Sequence, residues 1–559
     1  MKLGLAPTML RIFKGKRFLY KCSKSRQMPV WLSSIVRQSY GFSRISPSQI
    51  SVCSMGIIIR QGLKSSVVTY AGVAIGIINM LILYNRFLSQ EQLGLYASTL
   101  LTFPIVYMSF ALLGVPSVAV RFHSQFQTQT ARRQLFTFIL VTPFVGLLGF
   151  IFLYLAFKPF YLNFYQEHSP LLVKYYYVFI PLTVGMVYLL ALEAYSRIHL
   201  RIVVPSLIRE IGLRLLNSVV VILFGFQLIS FDTMVNLTVV SYGLAVVAML
   251  VYLYTQGNLF TTLDFGFIRH PAFGDMWRYG LWVILGGASA ALMPHIEKIL
   301  LPGFAGGLSS TAIFDLASRI ALVISIPRNS IVMISAPIIS RAFQENDLAQ
   351  IDTIYKKSSL NLFIIGVFLL LGIWVNIDSI FAIIPKSDLY APGKYVVLMV
   401  GLSRIADMMT GLNTEILTNS RYYRYDIVFI VLFTFLLMAS NFYLIPRYGY
   451  NGAAAASLFS VVIYNGVKLA FIRYKLGIQP FTSQTLLVIL LGGCAFLAAT
   501  YLPVPDATTL AGRLTGLLLR SVAVGIIFGG GILAFRVSED ISAGFWMAWK
   551  MVKQKVGRR

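Results

Sequence analysis

Two stretches of the sequence set ionisable side chains inside runs otherwise apolar enough for a membrane interior. FDLASRIALVISIPRNSIVM, residues 314 to 333, carries Asp315, Arg319 and Arg328, and VLMVGLSRIADMMTGLNTEIL, residues 397 to 417, carries Arg404, Asp407 and Glu415. A charge at the centre of a bilayer helix costs about 2.5–3.5 kcal/mol on insertion scales, so such groups face a partner or a wet cavity. Asp315 and Arg319 are four apart on one helical face, which permits an internal ion pair. Arg328 has no such neighbour and follows Pro327, where a kink would release a backbone carbonyl for it. Arg404 and Asp407 are three apart and permit a second pair; Glu415, eleven residues beyond Arg404, returns to the same face. Glu210 and Arg214 repeat the four-residue spacing, while Arg60 and Lys64 stand at the entrance of the first apolar run. Lys468 is expected to reach its ammonium to the interface, and Arg520 has no evident partner. In the first half of the chain the embedded cations are fewer than in the second. A cavity lined by such arginines favours an anionic group, since a phosphate in a low-dielectric wall is attracted far more strongly than in water. Asp315, Asp407 and Glu415 are the carboxylates available to couple a proton or cation.

Catalytic chemistry has no comparable footing. No GxxxxGK[ST] run is present to cradle a nucleotide, nor HExxH, nor a CxxC pair. His123, His168, His199, His270 and His295 are scattered over different connections and give no zinc set, and Cys22, Cys53 and Cys494 lie far apart. No catalytic residue, metal or cofactor is assigned.

The elements that must position these charges are membrane helices. Of 559 residues 57% are hydrophobic and 12% charged, and the mean hydropathy is +0.76, which describes an all-α polytopic membrane protein. Apolar runs of bilayer length predict about fourteen spans between residues 66 and 535, the one over 311–338 being long and broken by Pro327 and Pro337. The formal charge of +27 reports topology through the positive-inside rule and argues against a nucleic-acid partner. With Met55 on the cytoplasmic side, about 23 Lys and Arg fall in cytoplasmic connections of the body against about 8 opposite, so both ends are expected inside. Residues 1–54 are basic, free of Asp and Glu, and unlike the rest; they are expected to be a leader outside the folded body, with Met55 a natural start. Arg60-Gln61-Gly62-Leu63 recurs as Arg278-Tyr279-Gly280-Leu281, and Gly94-Leu95-Tyr96 falls at the same offset on Ala312-Ile313-Phe314. Six helices separate the copies, which predicts two parallel six-helix lobes over 55–260 and 261–480, two further helices over 481–535, and a basic tail over 536–559.

LIPRYGYNGAAAASL (444–458), MGIIIRQGLKSSVVTYAGVAIGIIN with LGLY (55–96), and GLNTEILTNSRYYRYD (411–426) resemble the recurrent blocks of the O-antigen and teichoic-acid flippase family of polysaccharide biosynthesis proteins. That family lies within the multidrug/oligosaccharidyl-lipid/polysaccharide (MOP) exporter superfamily. The resemblance implies two lobes in a V around a cationic cavity. It also implies passage of a polyprenyl-diphosphate-linked oligosaccharide from the cytoplasmic to the outer leaflet of a bacterial inner membrane, alongside membrane lipids and other polysaccharide-assembly proteins. Arg60, Arg319, Arg328 and Arg404 are the positions onto which diphosphate binding is carried. Two alternatives stand beside it: a cation-coupled multidrug exporter of the same superfamily, needing an acidic cavity, and a membrane polysaccharide polymerase or ligase.

Overall fold

The computed structural model describes residues 64–65, 67–257, 259–260, 262–502 and 510–556; Arg60 and the 1–54 leader lie outside them. Among the described residues all regular structure is helical. Eleven helices are long and apolar enough to cross a membrane, or twelve if one bent pair is a single span. In chain order these are α1 Val67–Phe87, α2 Gln90–Ala111, α3 Gln129–Ala156 and α4 Tyr176–Ile198. There follow α5, an interrupted helix over 203–225, α6 Phe231–Thr255, α7 Phe273–Gly303, α8 Gly307–Gln344 and α9 Leu348–Val375. The bent pair Ser387–Met409 and Asn413–Asn419, turned by 46°, is α10.

The 54-residue stretch Tyr423–Leu476 holds two helices separated by a kink. At 1.5 Å per residue a straight helix of that length would reach about 80 Å, against a hydrocarbon core of about 30 Å. It is not straight, because Gly449 sits at φ 56°, ψ −135°, a conformation essentially restricted to glycine. A Cβ added to Gly452 would strike the Leu444 carbonyl, so the chain doubles back there. The two arms are α11 (423–448) and α12 (450–476). They are followed by α13 Ser483–Thr500 and α14 Gly512–Ala534, and by Glu539–Val556, α15, in what the sequence presents only as a basic tail. The expected fourteen spans thus stand against eleven to twelve by length and hydropathy, the difference lying in the broken α5 and α10 and in α11 and α12, which meet at a kink and count together.

α4 is the core of the first lobe, packing on α2, α3 and α6; α10, six helices later, does the same for α8, α9, α11 and α12. α13 and α14 dock on α9 through a separate apolar cluster around Val488, Phe528 and Ile532. Small residues let helices approach closely, as where Gly72 of α1 meets the Glu210 backbone of α5. At the end where α1 turns into α2 and α7 into α8, here the distal end, the lobes are sealed together. Gly94 abuts the Leu308 backbone and Gly307 the His168 carbonyl. Ser169 donates to Pro302 O at 2.7 Å and Lys386 to Leu88 O at 2.6 Å. At the opposite, proximal end the lobes touch along the α2–α7 side, where Gly114 meets Gly280 and Arg121 covers the Tyr279 ring.

Candidate functional site

The embedded charges gather into three centres, each at an interruption in a helix. α7 breaks into a 3₁₀ turn at Met293–His295, around Pro294, and restarts at Ile296. The restart presents Glu297 and Lys298. α2 opens with a π-helical turn over Gly94–Thr99 that carries Ser98. Asp315 of α8 is wholly buried between them. Its carboxylate receives Lys298 Nζ at 2.5 Å and Arg319 Nε at 3.0 Å, and Ser98 Oγ donates to it at 3.1 Å across the lobe seam. Three elements therefore meet on one carboxylate, and a positive charge is left over. Arg319 keeps 44% of its side chain exposed, with Nη2 reaching the Ala97 carbonyl at 3.4 Å. Next along α7, buried Glu297 accepts from Ser457 Oγ of α12, and the charge of Arg404 acts on it through space. The buried Nε of Arg404 has no hydrogen-bond partner among the described residues.

The second centre lies deeper, toward the proximal end. α8 changes to a 3₁₀ turn at Val323–Ser325, and α10 breaks at Gly411, where φ is +63°. Arg328 follows the first break and spans the second, with Nε 3.2 Å from Asp407 and Nη2 3.5 Å from Glu415. Alongside, Lys468 of α12 is fully buried, 2.6 Å from Asp426 and donating to Thr414 Oγ1 at 2.9 Å. Thr410, Asn413 and Asn465 complete the polar contacts. Arg328 and Lys468 against Asp407, Glu415 and Asp426 leave one negative charge.

The third centre belongs to the first lobe. Glu193 of α4 accepts from Arg197 at 3.2 Å and from Arg209 at 2.7 Å. Glu210 accepts from Arg209 at 3.1 Å and Arg214 at 2.9 Å. Arg209 and Glu210 lie in a π-helical turn, Leu207–Gly212. Arg214 also donates to the Gly72 carbonyl, while Asn79 donates to Arg214 O at 3.2 Å and accepts from Ser218 at 2.9 Å. Three arginines against two glutamates again leave one positive charge.

Asp315 and Arg319 pair as their spacing allows, and so do Glu210 and Arg214. Arg328 departs from expectation: the α10 carboxylates, not a freed carbonyl, face it, and its buried Nε makes no hydrogen bond among the described residues. Glu415 is correspondingly held inside the bundle. Asp407 turns to Arg328 and forms no ion pair with Arg404. Lys468 does not reach the interface, because a buried carboxylate one helix away offers a shorter route to compensation. The first lobe is richer in cations than its apolar runs suggest, since Arg197 and Arg209 fall near connections and read as solvent-facing. Sequence reasoning also missed Glu297, Lys298 and Ser98; the Pro294 break beside an adjacent Glu-Lys was the available signal for the first two. Among the described residues no group of His, Cys, Asp and Glu could hold a metal ion.

No family model matches the chain, and no curated protein matches it. Solved structures do. The chain is similar to the lipid II flippase MurJ in an inward closed conformation, with TM-score 0.65 and 12% identity over 84% of this chain and 99% of that one. An inward-facing multidrug resistance MATE family transporter of the MOP superfamily gives TM-score 0.56 and 14% identity, covering 73% and 98%. A MOP superfamily transporter from Pyrococcus furiosus, described as having reversed polarity in its binding pocket, gives 0.51 and 13%, covering 75% and 95%. The chain has the fold of MOP superfamily transporters.

Proposed function

We propose that this protein is a flippase for a polyprenyl-diphosphate-linked oligosaccharide, working by alternating access between its two lobes. The observation that carries the reading is the buried, unpartnered Nε of Arg404. A guanidinium left short of acceptors inside a membrane protein is held there at a cost that a ligand oxygen removes. Arg319 is the second ligand group: Asp315 fixes its Nε, Nη2 reaches the Ala97 carbonyl, and the side chain stays 44% exposed. Arg328 is a weaker candidate, since two carboxylates already occupy it. Arg60 keeps its assignment from the family resemblance alone. The distal seal and the likeness to an inward closed lipid II flippase support a state closed at the distal end. The charge bias makes the proximal end cytoplasmic, in a bacterial inner membrane.

The surplus negative charge of the second centre is the place for coupling. One of Asp407, Glu415 and Asp426 would take up a proton or a monovalent cation when Arg328 or Lys468 shifts partner during the cycle. Asp315 would gate instead, by tying α2, α7 and α8 together.

That same acidic surplus, with the likeness to a multidrug MATE transporter, favours a second reading, export of organic cations. Lipid-carrier analysis of a deletion strain separates the two. A diphosphate-linked glycan confined to the cytoplasmic leaflet supports the flippase; unchanged carrier pools, with drug resistance conferred on a sensitive host, support the exporter. Outward-facing but unpolymerised repeat units would instead indicate a polymerase or ligase.

A further inference from the structure

A cleft of about 1090 Å³ lies along the seam between the lobes, and none of its lining residues belongs to the three ionic centres. α2, α3 and the short helix Lys158–Tyr165 form one wall; α7 and α11 form the other. No charged side chain lines it, and eleven of its 23 lining residues are aromatic, so hydrocarbon is favoured there over water. Its floor is open over α3, where a Cβ at Gly149 would meet nothing within 4 Å. One lining group does not belong in an apolar slot. Tyr161 is only 8% exposed, and its hydroxyl has no hydrogen-bond partner among the described residues. Three residues earlier on the same helical face, Lys158 donates to the Tyr177 hydroxyl at 2.8 Å and lies over the Tyr176 ring, 5.8 Å from its centroid. Tyr176 stacks on Tyr154 at 4.3 Å, and Tyr154 lines the cleft. From the distal surface inward there follow a cation, an unsatisfied buried donor and an aromatic slot.

We propose that this cleft holds one phospholipid of the surrounding bilayer. Its phosphate lies beside Lys158, one of its oxygens accepts from the Tyr161 hydroxyl, and an acyl chain fills the slot over Gly149. A diphosphate cargo is the poorer occupant, because a single lysine faces the headgroup where the ionic centres offer several cations. Both lobes supply walls, and the walls are tied together where Tyr165 donates to the Ile299 carbonyl at 2.8 Å. The bound lipid is therefore a wedge in the seam that favours the distal-closed arrangement, since it interacts with that arrangement and loses contacts when the lobes part.

The test uses the full chain in nanodiscs of phosphatidylcholine and phosphatidylglycerol, with a polyprenyl monophosphate offered at the same mole fraction. After mild detergent exchange, native mass spectrometry counts the lipid retained. One phospholipid per chain is expected for the wild type, and none for Gly149→Trp, whose Cβ enters open space and whose ring is directed to fill the slot. Tyr161→Phe, which removes only the donor, is expected to weaken retention about tenfold. The proposal is overturned by a wild type that retains no phospholipid, by equal retention in Gly149→Trp or in Tyr161→Phe, or by preferential retention of the polyprenyl phosphate. None of these readings depends on what the transporter carries.

Discussion

Lys468 and Asp426 form an ion pair with almost no exposure, 0% and 6%, and a pair so placed is more costly to break than to replace. Lys468→Met alone should destabilise the protein by about 3–5 kcal/mol, because it leaves a carboxylate buried without its cation. Lys468→Met combined with Asp426→Leu should recover most of that loss, read as thermal midpoints of the purified protein in detergent. Arg404 predicts the opposite behaviour. Its Nε makes no hydrogen bond and its charge reaches Glu297 only through space, so Arg404→Met should lower the thermal midpoint far less than Lys468→Met while depressing transport. Pairs within one helix were legible in the sequence, since Asp315–Arg319 and Glu210–Arg214 need only a four-residue spacing. Pairs between helices were not: nothing in the chain order of Arg328 announces Asp407 and Glu415, nor Lys298 its place on Asp315, because the partner is set by how α7, α8 and α10 cross.

Every ionic centre coincides with a helix interruption: the 3₁₀ turns of α7 and α8, the Gly411 bend of α10, and the π-helical turns of α2 and α5. Interrupted backbone inside a membrane is tolerated where protein or a wet cavity satisfies it, and it also turns side chains away from the regular spiral. Pro327 announced one of these breaks and Pro294 and Gly411 were signals left unread, whereas a π turn carries no residue signature, which is why Ser98 and Arg209 escaped notice. Spans were likewise readable by hydropathy, including the separate arms α11 and α12 on either side of the Gly449 kink. Gly449→Val should cost about 1–3 kcal/mol through its backbone conformation alone, seen as a lower thermal midpoint. At the distal seal, a side chain at Gly94 would press on the Leu308 backbone. Gly94→Val should therefore part the lobes there. With spin labels at Glu91→Cys and Asp388→Cys, and the native cysteines replaced by serine, electron–electron resonance should give a longer mean distance than in the parent; an unchanged distribution would remove Gly94 from the gate.

For the molecule as a whole, the three centres carry one positive, one negative and one positive surplus charge, distributed over two lobes that meet at the distal end. The first and third centres are thus cationic and the second acidic. The all-helical membrane fold was readable because apolar runs of bilayer length recur along the chain. The identity of the cargo was not, since an arginine favours an anionic group without specifying what carries it. The central claim is that Arg319 and Arg404 compensate a diphosphate within the cavity. It is tested most directly by reconstituting the protein in liposomes loaded with a fluorescent polyprenyl-diphosphate oligosaccharide and following its appearance in the opposite leaflet. The wild type should move it, and Arg319→Met/Arg404→Met should slow it by at least about tenfold, the loss of a charge-assisted hydrogen bond of about 1.5–3 kcal/mol. Equal rates for the double variant and the wild type would contradict the account.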